Sequence, residues 1–153
     1  MASRMFVEKS IQVNKPQQKI FDFLKYCKNQ EQFSVWNMAD PQKKTSTVGT
    51  DGAVGFVYSW DSKDKSVGAG SQEIKKLEAP SLIEYELRFE RPMKNIASSE
   101  IELTSLSNTQ TTITWRFSGP TKFPMSLFKG IFQKMLGKDL AKSLDNLKQL
   151  LEK

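Results

Sequence analysis

From Ala53 to Ser118 the chain alternates apolar and polar residues with a period of two, and from Met125 to Lys153 it switches to apolar steps of three and four. The first pattern is that of half-buried strands and the second that of an amphipathic helix. A helix that follows an antiparallel run buries its apolar stripe best across the concave face of that sheet. The resulting grip encloses a space, filled either by side chains or by a ligand.

The stripe consists of Phe128, Ile131, Phe132, Met135, Leu136, Leu140, Leu144, Leu147 and Leu151, with Lys129, Lys134, Lys138, Lys142 and Lys148 mostly off it. Pro124 lies just ahead, where a missing N–H costs a helix little. Gly130 and Gly137 each cost about 1 kcal/mol relative to alanine, so they mark either close packing on the sheet or a bend.

Earlier in the chain, Phe6 to Asn14 (FVEKSIQVN) reads as a strand with Val7, Lys9, Ile11 and Val13 on one side. Asn14 is expected to cap a helix with Lys15 and Pro16 in its first turn and Ile20, Phe21, Phe23 and Leu24 turned inward. A second short helix spans Cys27 to Phe33, and Trp36 and Pro41 mark the loop that leaves it. A weak strand around Lys43 to Val48 ends at the Gly49 to Gly52 turn. Ala53 to Asp61 follows, with Val54, Phe56, Tyr58 and Trp60 on one face, then a polar hairpin from Asp61 to Val67 and a strand from Ala69 to Glu78. After the Pro80 and Ser81 turn, Leu82 to Glu90 directs Ile83, Tyr85, Leu87 and Phe89 inward. Ala97 to Leu106 and Thr111 to Ser118 close the run, contributing Ile101, Leu103, Ile113, Trp115 and Phe117. The expected architecture is α+β: a curved antiparallel sheet of about six or seven strands around a long C-terminal helix, with two short helices after the first strand. No repeat or linker interrupts this order, so residues 1–153 are expected to form a single domain.

Composition narrows the chemistry. A chain of 153 residues supports a core without disulfides or metals. Cys27 is the lone cysteine, so no intrachain disulfide forms and a reduced, cytoplasmic setting is expected. The N-terminus runs directly into charged strand-like sequence rather than a basic start and apolar core, and no apolar run approaches a transmembrane length. Lysine and arginine outnumber acids 23 to 17, for a net charge of +6, but the basic residues are scattered and no nucleic-acid signature accompanies them. There is no histidine. Cysteine–histidine and serine–histidine nucleophiles and histidine-based metal sites are thereby excluded, and no cofactor or metal is expected.

The inward sheet positions carry an aromatic load: Phe56, Tyr58, Trp60, Tyr85, Phe89 and Trp115. Buried tyrosine and tryptophan need hydrogen-bond partners, which either neighbouring groups or a ligand supplies. The pocket reading places Trp36 at the entrance, those six residues on the wall and Phe128, Phe132 and Met135 as the lid. The alternative is that the same side chains simply meet and fill the space. Tyr58, Tyr85, Glu73 and Arg116 are the polar groups suited to acid, base or oxyanion roles, the last two pointing to the cavity or to solvent according to strand register.

Several segments resemble the START/Bet v 1-like (SRPBCC) superfamily and, within it, the polyketide cyclase/dehydrase family. They are VEKSIQVNKPQQKIFDFLKY from Val7 to Tyr26, Trp36, GAVGFVYSW from Gly52 to Trp60, Gly68 to Gly70, EAPSLIEYEL from Glu78 to Leu87, and the TxxTWRFSG close ending at Gly119. The resemblance covers nearly the whole chain and implies the helix-grip fold with an apolar cavity between sheet and helix. It implies binding of a small hydrophobic or aromatic molecule, lipid or polyketide-like; a monomer or homodimer is expected. It also leaves open a cyclase or dehydratase, against which the missing histidine weighs mildly, and a co-chaperone-like interaction module. Fold alone does not choose among these.

Overall fold

The computed structural model describes residues 3–121 and 128–153. Seven strands form one antiparallel sheet: β1 (Ser3–Val13), β2 (Lys44–Val48), β3 (Val57–Asp61), β4 (Ala69–Glu78), β5 (Leu82–Arg91), β6 (Asn95–Ser107) and β7 (Gln110–Thr121). Their spatial order is β1-β7-β6-β5-β4-β3-β2, so β2 to β7 form a meander and β1 returns to pair with β7. Between β1 and β2 lie α1 (Gln17–Leu24), a 3-10 helix (Cys27–Gln32) and α2 (Val35–Met38), and α3 (Lys129–Leu151) crosses the concave face. The first three residues of the expected terminal helix, from Met125, fall outside the described residues.

Register sets which side chains meet α3. Val7 stands opposite Phe117, which faces Ser99, then Tyr85, then Ile74. The neighbouring inward rows run Trp115–Ile101–Ile83 and Tyr58–Gln72–Leu87–Ala97. Over these rows the second half of α3 buries Leu140, Leu144, Leu147 and Leu151, each contributing about 1.5–3 kcal/mol relative to exposure. Gly137 seats the helix on the first strand: a Cβ there would lie 3.2 Å from Lys9 Cε and 3.5 Å from Val7 Cγ1. Of the two explanations for that glycine, close packing holds, whereas a Cβ at Gly130 would meet nothing within 4 Å.

Four local expectations are corrected. Asn14 does not cap α1; the cap position is Pro16, and Asn14 instead donates its backbone N–H to Glu152 while its side chain accepts from Gln110. Trp36 sits inside α2 rather than on a loop, because a short helical turn follows the 3-10 helix. Val54 is exposed, since the chain turns through residues 53–56 and β3 begins only at Val57. The first turns of α3 leave Ile131 at 60% and Met135 at 56% exposure, with Phe128 ahead of them at 51%, so the apolar stripe is core only from Leu140 onward, with Phe132 and Leu136 half-buried.

Candidate functional site

The space under α3 divides into a filled half and an open half. In the filled half, α1, the 3-10 helix and α2 pack beneath the end of α3, tied to it by Val35 N–H to Ser143 Oγ at 3.0 Å and Asn146 Nδ2 to the Phe33 carbonyl at 3.1 Å. Trp36 and Phe33 meet Trp115 edge-on at 5.9 and 6.0 Å, and Phe23 lies 6.3 Å from Phe33. Edge-to-face pairs of this kind are ordinary core. Trp36 therefore closes this half instead of forming an entrance. Phe56 is buried at its margin.

The polar tips in this region are mostly satisfied from within. Trp115 Nε1 donates to Ser99 Oγ at 2.9 Å, and the Tyr58 hydroxyl donates to Glu31. Lys43, whose side chain is only 6% exposed, holds the other Glu31 oxygen at 2.8 Å and the Asn37 carbonyl at 2.8 Å. Burial opposes the Glu31 charge, but hydrogen bonds from Lys43 and Tyr58 outweigh it and hold the carboxyl below its ordinary range. Burial, reinforced by the Glu31 carboxylate, pushes the Tyr58 phenol above its ordinary range. Nearby, Gln72 Nε2 contacts Gln30 Oε1 at 3.3 Å and Cys27 Sγ at 3.6 Å. The Tyr85 hydroxyl and Gln30 Nε2 have no partner, although Tyr85 is 3% and Gln30 5% exposed. Burial lifts the Tyr85 phenol well above its usual range, and Gln30 beside it offsets only part of that. Burial thus favours the protonated form of both phenols, and of the two only Tyr58 donates, to Glu31.

Glu73 and Arg116 are not in the cavity. Both lie on the convex face of the sheet, where Glu73 pairs with Arg88, and Arg116 reaches Glu8 at 2.5 Å, Glu102 at 2.8 Å and Glu100 at 3.0 Å. The shifts in register fall elsewhere, between Ala69 and Gly70, Ile74 and Lys76, and Ser105 and Ser107, so neither side chain is turned inward. Their pairing raises the Arg116 pKa and lowers that of Glu73, chiefly through the Glu102 and Arg88 hydrogen bonds respectively. These are surface ion pairs worth about 0–1 kcal/mol each.

The open half lies between the start of α3, the end of β7 and the β5–β6 hairpin. Here Phe89 and Phe132, with Arg91, Pro92, Met93, Lys94, Asn95, Pro120 and Thr121, line a mostly apolar cavity of about 180 Å³. Trp60 buttresses it from behind, its ring 6.1 Å from Phe89 and its Nε1 donating to the Val67 carbonyl at 3.3 Å. Gly70 makes this possible: a Cβ there would come within 2.9 Å of the Trp60 ring. Of the residues expected to line a pocket, Phe89 and Phe132 do so and Trp60 supports one. Tyr58, Tyr85, Phe56 and Trp115 belong to the filled half, and Phe128 and Met135, at 51% and 56% exposure, do not close over the sheet among the described residues. Sequence reasoning missed the hairpin residues Pro92, Met93 and Asn95, which carry no periodic signal, and it missed Gln30, Glu31 and Gln72. Only Gln72 had a readable sign, a polar residue at the inward parity between Gly70 and Ile74. Among the described residues no group of three cysteines or carboxylates converges as a metal site, and no helix is long and apolar enough to cross a membrane.

An antiparallel seven-stranded sheet gripping a C-terminal helix, with short helices after the first strand, defines a Bet v 1-like helix-grip protein. More specifically, the chain belongs to the family described as "Polyketide cyclase / dehydrase and lipid transport", which it matches over residues 5–152. Truncated norcoclaurine synthase from Thalictrum flavum superposes with a TM-score of 0.73 at 12% identity, covering 98% of this chain and 94% of that one. Protein MLL2253 from Mesorhizobium loti gives 0.69 at 17% identity, with 95% and 96% coverage. The Aha1 dimer from Colwellia psychrerythraea gives 0.65 at 16% identity, with 97% and 96% coverage. At such identities the likeness is one of fold. No curated protein matches the sequence. Family and fold together support a role of the ligand-binding or cyclase type.

Proposed function

We propose that the chain, acting as one domain over residues 1–153, binds a small apolar molecule, lipid or aromatic, with its apolar end between Phe89 and Phe132. The observation that carries this reading is the apolar opening beside the start of α3, where Phe89 and Phe132 come together. Its volume of about 180 Å³, in a groove that is half open to solvent, gives room for one ring or a short acyl tip. The family description includes lipid transport, and one solved structure of norcoclaurine synthase holds dopamine and hydroxybenzaldehyde, both single-ring molecules. The protein works in the cytoplasm, where Cys27 stays reduced, as a monomer or homodimer.

A cyclase or dehydratase is the second reading, favoured by the family description and by the paired Tyr58 and Glu31. It is weaker because neither Tyr58 nor Tyr85 lines the opening between Phe89 and Phe132, and there is no histidine for proton transfer. Native mass spectrometry of the purified chain, with solvent extraction and titration of a fluorescent short-chain fatty acid, separates the two. A one-to-one complex released unchanged and lost in Phe132→Asp supports binding. Absence of any complex in the wild type, or full retention in Phe132→Asp, overturns the proposed site, and recovery of an altered molecule favours the enzyme.

A further inference from the structure

The first half of α3 carries a second apolar row that faces away from the sheet. Ile131 and Met135 are 60% and 56% exposed, and Phe128, just before the helix, is 51% exposed. At about 100° per residue these three share roughly one third of the helix circumference with Lys134, Lys138 and Lys142, all of them exposed. Between Lys129 and Lys142 the only acid is Asp139, and Glu8 of β1 lines the groove that Lys134 and Lys138 border. A solvated face would be polar throughout and a core stripe would be covered, and among the described residues this face is neither. It borders the cavity mouth, where Met93 is 40% exposed and Lys94 is also exposed.

We propose that this face docks on an anionic lipid bilayer, with Ile131, Met135 and Phe128 entering the headgroup boundary and Lys134, Lys138 and Lys142 meeting lipid phosphate and carboxylate groups. Interleaved apolar and basic residues on one exposed helix face are the physical requirement for interfacial binding. A second copy of this chain fits poorly, because a two-fold contact through the face would set lysines against lysines. The orientation presents the mouth between Phe89 and Phe132 to the membrane. The docking itself stands independently of the ligand-binding reading, since its assay contains no ligand.

The test is flotation of the full chain with vesicles of phosphatidylcholine alone and of phosphatidylcholine with phosphatidylserine, at low and physiological salt. The expected result is binding to the phosphatidylserine vesicles alone, weakened by salt. Each of Lys134→Ala and Lys138→Ala should weaken it about fivefold, and Ile131→Asp with Met135→Asp should abolish it even at low salt, with circular dichroism unchanged. No flotation with phosphatidylserine at low salt overturns the proposal. So does flotation indifferent to Ile131→Asp, which would mark unspecific charge attraction. Equally, a dimer on size exclusion or an acidic protein complex that is lost in Ile131→Asp, without vesicle binding, would assign the face to another partner.

Discussion

Replacing Tyr85 by phenylalanine removes a hydroxyl that is buried and unpartnered, and should therefore stabilise the protein. The ring remains between Ile74 and Ser99 on the inward row, so the packing it supplies is kept. What disappears is a polar group withdrawn from water with no hydrogen-bond partner of good geometry, a burden of about 1–3 kcal/mol. Part of that is offset by the nearby Gln30 amide, which brings the expected gain to about 1 kcal/mol, or a rise in Tm of about 2–4 °C for a chain of this size. The control lies directly across the strand pair. Ser99 accepts from buried Trp115 Nε1 at 2.9 Å, so Ser99→Ala strands an indole N–H and should cost about 1–3 kcal/mol. Urea unfolding followed by tryptophan fluorescence measures both, with unchanged m-values showing that only stability has moved. Opposite signs for the two neighbours are the expected result. A loss of 1 kcal/mol or more in Tyr85→Phe would refute the reasoning, because it would mean that the hydroxyl has a partner in solution.

Cys27 should be inert in the folded protein: burial first, and then the Asp51 carboxylate, push its thiol up to about 12. Labelling by iodoacetamide at pH 8 should therefore follow global unfolding, and rapid labelling of the native chain would contradict the buried placement. For Glu31 the folded pKa is depressed, so its contribution is complete above the unfolded value near 4.3 and is lost as pH falls through the lower folded value. Glu31→Gln should lower stability at neutral pH and flatten the acid limb of the stability profile; an identical acid limb in the variant would show that Lys43 and Tyr58 do not hold the charge.

Strands such as β5 and β6 were legible because one face is turned to the core and one to water, which imprints a period of two, whereas β2 is exposed along its whole length and β4 is broken by a shift in register between Ile74 and Lys76. The same parity reads Trp115 and Phe117 as inward and Arg116 as outward, and the unbroken β1–β7 register preserves it. The candidate site was less legible, for two physical reasons. Periodicity states that a helix face is apolar but not what will cover it, so Ile131 and Met135 read like Leu140 and Leu144 although only the latter pair meets the sheet. In the 3-10 helix, by contrast, Gln30 and Glu31 are drawn inward by tertiary partners, Gln72 and Tyr58, that lie 42 and 27 residues away, and nothing local announces such a contact.

The return of β1 to β7 has a kinetic consequence. Every other pairing in the sheet joins strands adjacent in sequence, whereas Ser3 meets Thr121 and Val13 meets Thr111. During synthesis the meander can therefore zip up as it emerges, but the opening strand, with Val7 and Ile11 on its inward side, must wait for almost the whole chain before its own partner exists. Non-local closure of this sort slows folding and leaves an apolar edge open to wrong pairing meanwhile. The interval ends when the close of α3 also arrives, because Lys148 donates to the Gln12 carbonyl at 2.6 Å and Lys15 to the Leu151 carbonyl at 3.1 Å, fastening the two extremities of the fold together.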